Sequence, residues 1–250
     1  YSQGTIEAYQ LDIRKGLFPF LHQQGKFGVE EVTKDDIRAY LDYLILEKGN
    51  SNVTRARKLA AIKSFFNYLV ENEGLEANPA ASVKSPKIPE KEPVYLTDSE
   101  CIRLLETMAH KAKSQVKERD MAIAVLLLHT GLRVSELTNL KFSNVDFERN
   151  QIKITRKGSK EQYLHLNGEA VKALLSYLHS RPQAQNGRFF VGTKGQNLGR
   201  TYVYEVVRRY LKLAGINKGK WGASSLETHL LHQTTSEGSL TLRDKGTRWS

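Results

Sequence analysis

Three of the chain's six prolines, Pro86, Pro89 and Pro93, stand close together among Lys84, Lys87 and Lys91. Proline fixes φ and has no backbone donor, so no helix or inner strand can run through this stretch. It must be extended, and it divides the 250 residues into two parts. The reading is a first domain over 1–83, a Pro- and Lys-rich linker over 84–93 and a second domain over 94–250. The lysines suit the linker equally to a phosphate backbone or to water.

Ahead of the linker the apolar residues recur at helical spacing. Ile6, Tyr9, Ile13, Leu17, Phe20 and Leu21 predict an amphipathic helix from Thr5 to His22. Thr33 with Asp36 is an N-cap signal and Gly49 a stop, which gives a helix to about Lys48. A third runs from Asn52 to Glu73, with Val53, Leu59, Ile62, Phe66 and Leu69 inward. Four-helix packing is expected. The third helix also carries Arg55, Lys58 and Lys63, candidates for contact with DNA or simply a solvated charged face.

Beyond the linker, Thr97 and Glu100 form a capping box for a helix to about Ala109, with Leu96 as its hydrophobic staple. A helix from Glu118 to His129 ends at Gly131, and a further turn opens at Arg133 and reaches Leu140. The period then changes to two over Gln151–Thr155 and again over Gln162–Leu166, around Gly158. This is a β-hairpin whose tip holds Arg156, Lys157 and Lys160. Helices resume over Glu169–His179 and Thr201–Leu213, the latter opening beside Arg200. The fold class is therefore mainly α, with a small antiparallel sheet in the second domain.

Charge is divided unevenly. Residues 1–90 hold 12 basic and 12 acidic side chains, whereas residues 91–250 hold 26 and 15, the whole of the net +11. That asymmetry points to a polyanion-facing surface in the second part. The longest apolar runs, such as Ala122–Leu128, are far short of the roughly 20 residues that cross a bilayer. With no signal sequence, a cytoplasmic protein without membrane contact is expected. The single cysteine, Cys101, excludes an internal disulfide, and no His or Cys spacing suits a metal. The chain begins at Tyr1, inside a helical stripe, which suggests a fragment at that end.

Several chemistries fail on spacing. Neither the hairpin tip nor Gly192–Gly195 has the glycines of a phosphate-cradling loop before a lysine. No Ser or Cys nucleophile has a local signature, and Asp120 and Asp146 lack neighbouring carboxylates for a two-metal nuclease. What remains is the string Thr130, Gly131, Leu132, Arg133, Val134, Ser135, Glu136, Leu137, followed 24 positions after Arg133 by Lys157 on the hairpin. With a helical first domain and a Pro-rich linker in the same order, residues 1–220 resemble the tyrosine recombinase, or phage integrase, family and within it the Xer-like site-specific recombinases.

The resemblance implies a SAM-like core-binding domain followed by a catalytic domain, closing round double-stranded DNA from opposite sides and assembling as a tetramer. It implies a tyrosine hydroxyl that attacks a DNA phosphate, making a 3′-phosphotyrosyl link and freeing a 5′-hydroxyl. No metal and no other cofactor is implied, because cationic side chains meet the charge of the transition state. The family's motif gives Arg133 the role of phosphate-binding arginine and Lys157 that of proton donor to the leaving oxygen. Glu136 is a candidate to orient Arg133, and Lys160, Arg156 and Arg200 are candidates for backbone contact.

The last part departs from the pattern. The family continues with His-x-x-Arg, a second His or Trp, and the tyrosine. Here Ser224–Leu231 holds the Thr-His-Leu-Leu string that should follow the box, and the box is missing, or else His229 and His232 occupy its frame with histidine in place of arginine. Histidine cannot offer a permanently charged fork. The last tyrosine is Tyr210, so no nucleophile is assigned. The expectation is a chain truncated or altered after about residue 222 that binds DNA without cutting it; a non-enzymatic DNA-binding or regulatory remnant is the alternative.

Overall fold

The computed structural model describes residues 3–89, 95–156 and 160–217. The chain separates into two compact units, Tyr1–Lys91 and Glu92–Ser250.

In the first unit α1 (Gln3–Asp12), a π turn (Ile13–Leu17) and α2 (Phe18–Gln23) follow without a break. The sequence pattern predicts one uninterrupted α-helix here. Pro19 accounts for the difference: it has no N–H to give to the carbonyl four residues earlier, and the turn widens so that the Phe18 N–H bonds back to Ile13. Next, α3 (Lys34–Leu46) opens on the expected capping box of Thr33 and Asp36. Ser51 caps α4 (Asn52–Asn72) by accepting from the Thr54 N–H.

Ile13, Leu17, Phe20, Ile37, Tyr40, Leu59, Ile62 and Phe66 build the core of this unit. Two expected inward residues, Ile6 and Val53, are exposed. Both lie in or near the first turn of their helices, where the chain reaches past the core. Residues 83–89 carry no helix or strand. They are not free of the domain, however, since Asn52 Nδ2 donates to the Lys87 carbonyl at 2.8 Å.

The second unit begins with α5 (Asp98–Lys111), capped as expected by Thr97 and Glu100. Then α6 (Ser114–Thr130) starts four residues ahead of the expected Glu118. Its N-cap, Lys113, makes no side-chain cap bond, so the sequence carries no local start signal. Continuous burial of Ala122–Leu128 makes this the central helix, with α8 (Gly168–Ser180), α5 and α9 (Arg200–Leu213) packed on it. The short α7 (Val134–Asn139) leads to an antiparallel sheet in the order β1 (Val145–Asp146), β2 (Gln151–Thr155) and β3 (Glu161–His165). β1 is too short to leave a period-two signal. Ile152 and Ile154 turn one face of β2 into the core.

Candidate active site and nucleic-acid interface

The site grows from the end of α6. Gly131 takes φ 60°, in the left-handed region that costs any residue with a Cβ about 1–2 kcal/mol, and its N–H closes on the Leu127 carbonyl. The chain reverses there. Leu132 and Val134 are then buried on either side of Arg133, so the backbone at Arg133 is pinned while its side chain remains 57% exposed.

Glu136 faces that arginine from the first turn of α7. Its Oε2 accepts from the Arg133 N–H and its Oε1 from Arg133 Nη1, both at 2.9 Å. The carboxylate itself is only 8% exposed, and Arg156 Nη1 reaches the same Oε1 at 3.5 Å. One half-hidden acid thus joins two guanidiniums that lie 23 residues apart in sequence. Arg156 is held on its other side by Gln162, to which Nε donates at 3.0 Å. The ladder continues past Thr155 as the Arg156 N–H bonds the Lys160 carbonyl. Lys157, which adjoins Arg156 in sequence, and His229 lie outside the described residues. Lys160 and Arg200 are exposed, Arg200 at the first position of α9.

The cations named in the first unit are committed to other partners. Arg55 donates from Nε to the Leu41 carbonyl, lies 3.9 Å from Asp42 and is largely covered. Lys58 pairs with the buried Asp12 at 2.7 Å, beside Arg57, which grips both oxygens of the same carboxylate. Lys63 donates to the Ala81 carbonyl. Sequence reasoning passed over Lys34 and Arg38, which with Arg55 and the linker's Lys84 and Lys87 line a cavity of about 530 Å³. Their convergence depends on the packing of residues 82–87 against α3 and α4, for which no local signal exists.

A second polar cluster lies between α6 and α9. Arg119 donates from Nε and Nη2 to Asp120, at 3.1 and 3.0 Å, and also meets the Tyr202 hydroxyl. Asp120 is fully buried, with Arg209 3.6 Å from its other oxygen. Burial pushes its carboxyl above the ordinary value, against the opposing pull of Arg119 and Arg209. Tyr210 is buried and its hydroxyl also lies above the usual range through burial and the charge of Asp120. Tyr202 and Tyr210 therefore belong to a structural knot. Among the described residues no cluster of three His, Cys, Asp or Glu side chains could hold a metal, and no helix is long and apolar enough to cross a membrane.

Comparison with known proteins adds an independent line. Residues 95–237 match the Phage integrase family, and residues 1–73 match the phage integrase N-terminal SAM-like domain. The tyrosine recombinase XerC of Caldanaerobacter subterraneus subsp. tengcongensis is 33% identical over 247 residues, which covers 90% of this chain and 68% of the relative. That of Roseiflexus castenholzii is 32% identical over 240 residues, covering 93% and 73%. Among solved structures, XerA recombinase is 28% identical, covers 96% of this chain and 80% of its own, and superposes with a TM-score of 0.51. The XerH site-specific recombinase in its post-cleavage complex with a palindromic difH substrate has a TM-score of 0.74 at 21% identity, covering 94% and 69%.

Proposed function

The chain belongs to the phage integrase family of tyrosine recombinases, and on that premise we propose that it binds double-stranded DNA at the Arg133 site and, as the 250 residues stand, does not cut it. The family's enzymes break and rejoin DNA at specific sites. The observation that carries the reading is the carboxylate of Glu136 shared by Arg133 and Arg156. A guanidinium tied at one edge keeps its remaining donors in a fixed plane, which suits two non-bridging oxygens of one phosphate. Charge that spreads over those oxygens in a transition state would meet an arginine already oriented.

The roles of Arg133 and Lys157 follow from the family motif, that of Glu136 from its contact with Arg133, and those of the other cations from their charge. Arg133 is the phosphate-binding arginine, Glu136 its positioning residue, and Lys157 the donor of a proton to the leaving 5′-oxygen. His229 is a further phosphate contact. Arg156, Lys160 and Arg200 touch backbone phosphates from the second domain, over 94–250, and Arg55 does so from the first domain, over 1–83, only by giving up the Leu41 carbonyl and Asp42. Lys58 and Lys63 are weaker contacts, because each must exchange a partner inside its own domain for phosphate. In the family the nucleophilic tyrosine follows the His-x-x-Arg box. The last in the sequence is Tyr210, in the buried knot, so a stable tetramer and a 3′-phosphotyrosyl link are not expected from this chain.

The test uses duplexes selected for binding from a random library. Affinity should fall steeply with salt, since each phosphate neutralised lowers the log-log slope by about 0.9; a flat response removes the interface. The same duplex carrying a nick beside the site should yield no adduct that survives detergent. A covalent adduct, or a tetramer on DNA by sedimentation, would overturn the part of the proposal that denies cutting.

A further inference from the structure

The last turn of α6 is tied to the start of α8 by a histidine. His129 stands one residue before the end of α6 and four before Arg133, and its side chain is 13% exposed. Its Nδ1 lies 2.9 Å from Asn167 Nδ2, and its Nε2 lies 3.3 Å from Glu169 Oε2. Asn167 is also the N-cap of α8, where its Oδ1 accepts from the Ala170 N–H at 2.9 Å.

That cap settles the direction of the other bonds. A backbone N–H only donates, so the oxygen of the Asn167 amide faces Ala170 and its NH2 group faces the ring. An amide NH2 is a donor only, so Nδ1 must accept and carries no proton. The ring is then neutral, with its hydrogen on Nε2 and directed at Glu169. A proton on Nδ1 would set two donors against each other. To meet it, Asn167 would have to turn its oxygen to the ring and leave the Ala170 N–H uncapped. Glu169 is the charged group that faces the ring from α8, and at 71% exposure its attraction is screened by water. In the turn that follows, Arg133 and Glu136 are engaged with each other. Asp120, which holds Arg119 and Arg209, lies nine residues back along α6, about 13–14 Å away.

We propose that His129 is a positioning residue for Arg133: an uncharged imidazole that fastens the end of α6 to the cap of α8, and that lets go when it gains a proton. Gly131 and the buried Leu132 follow at once, so a slackened end of α6 shifts the turn that presents the guanidinium. The consequence for DNA rests on the reading of the Arg133 site given above; the clamp does not.

The full chain, labelled with nitrogen-15, is titrated from about pH 8 to about pH 5 at fixed ionic strength. Ring signals that vanish in His129→Asn belong to His129. Asparagine there keeps an acceptor for Asn167 and takes no proton. The expected result at the upper end is a bare Nδ1 and a protonated Nε2. As the ring titrates, the Arg133 amide moves and the Ala170 amide exchanges faster with the same midpoint, whereas neither changes in His129→Asn. Asn167→Asp keeps an oxygen for the cap and gives the ring a second acceptor, so it raises the midpoint by about one unit, a tenfold gain in proton affinity. Thermal melting checks that each variant is folded. A proton on Nδ1 at the upper end, an Arg133 amide indifferent to the ring, or a midpoint that Asn167→Asp leaves in place overturns the proposal. Duplex affinity on the same samples should fall in acid by about fivefold relative to His129→Asn, the size of one lost cap. Amides that respond as expected without that fall would defeat the DNA reading of Arg133 and leave the clamp standing.

Discussion

Glu136→Ala removes three contacts at once, and their sizes can be worked out from exposure and distance. The bond from the Arg133 N–H is a helix cap, of about 1 kcal/mol. The Arg133 side-chain pair joins a 57% exposed guanidinium to a covered carboxylate, so solvent screening limits it to about 0.5–1 kcal/mol. The Arg156 contact is longer, at 3.5 Å, and is worth about 0.5 kcal/mol. The sum is about 2 kcal/mol. Glu136→Gln keeps an acceptor for the N–H and loses the ionic part, so about 1 kcal/mol is expected. Urea unfolding followed by far-ultraviolet circular dichroism reads both. A double-mutant cycle with Arg133→Ala should then give a coupling of about 0.5–1 kcal/mol, the portion that holds the guanidinium in place. If the alanine variant costs no more than the glutamine variant, or if the coupling vanishes, Glu136 does not orient Arg133 and the account of the site loses its central contact.

Other changes should register elsewhere. Gly131→Ala, at φ 60°, should cost about 1–2 kcal/mol in the same unfolding assay, and a loss near zero would mean that the turn can relax. Asp12→Ala breaks the pair of Lys58 and the double grip of Arg57; with Arg57 half exposed, about 2–3 kcal/mol is expected rather than the full cost of a buried pair. At Asp120 the sign is set by burial. The folded protein binds that proton more tightly than the unfolded chain, so stability falls as pH rises from the ordinary aspartate value through the raised one. Asp120→Asn should flatten this slope in a pH series of urea melts, and an unchanged slope would assign it to other groups.

By itself the sequence determined whatever depends on neighbours along the chain. The capping pairs Thr33 with Asp36 and Thr97 with Glu100 place helix starts, because a short side chain can only reach backbone donors within a turn. Gly131 ends α6 where expected, the change from helical spacing to period two marks the hairpin, and the string around Arg133 marks the family. Tertiary structure decided what brings distant residues together. That Glu136 serves Arg156 as well as Arg133, that Arg55, Lys58 and Lys63 are spent on partners inside the first unit, and that His129 meets the cap of α8 all depend on packing across elements. The physical reason is one of range: backbone hydrogen bonding and periodicity act over a few residues and leave a local imprint, whereas a salt bridge or a cavity is fixed by where whole helices come to rest, and nothing in the spacing of charges along the chain records that.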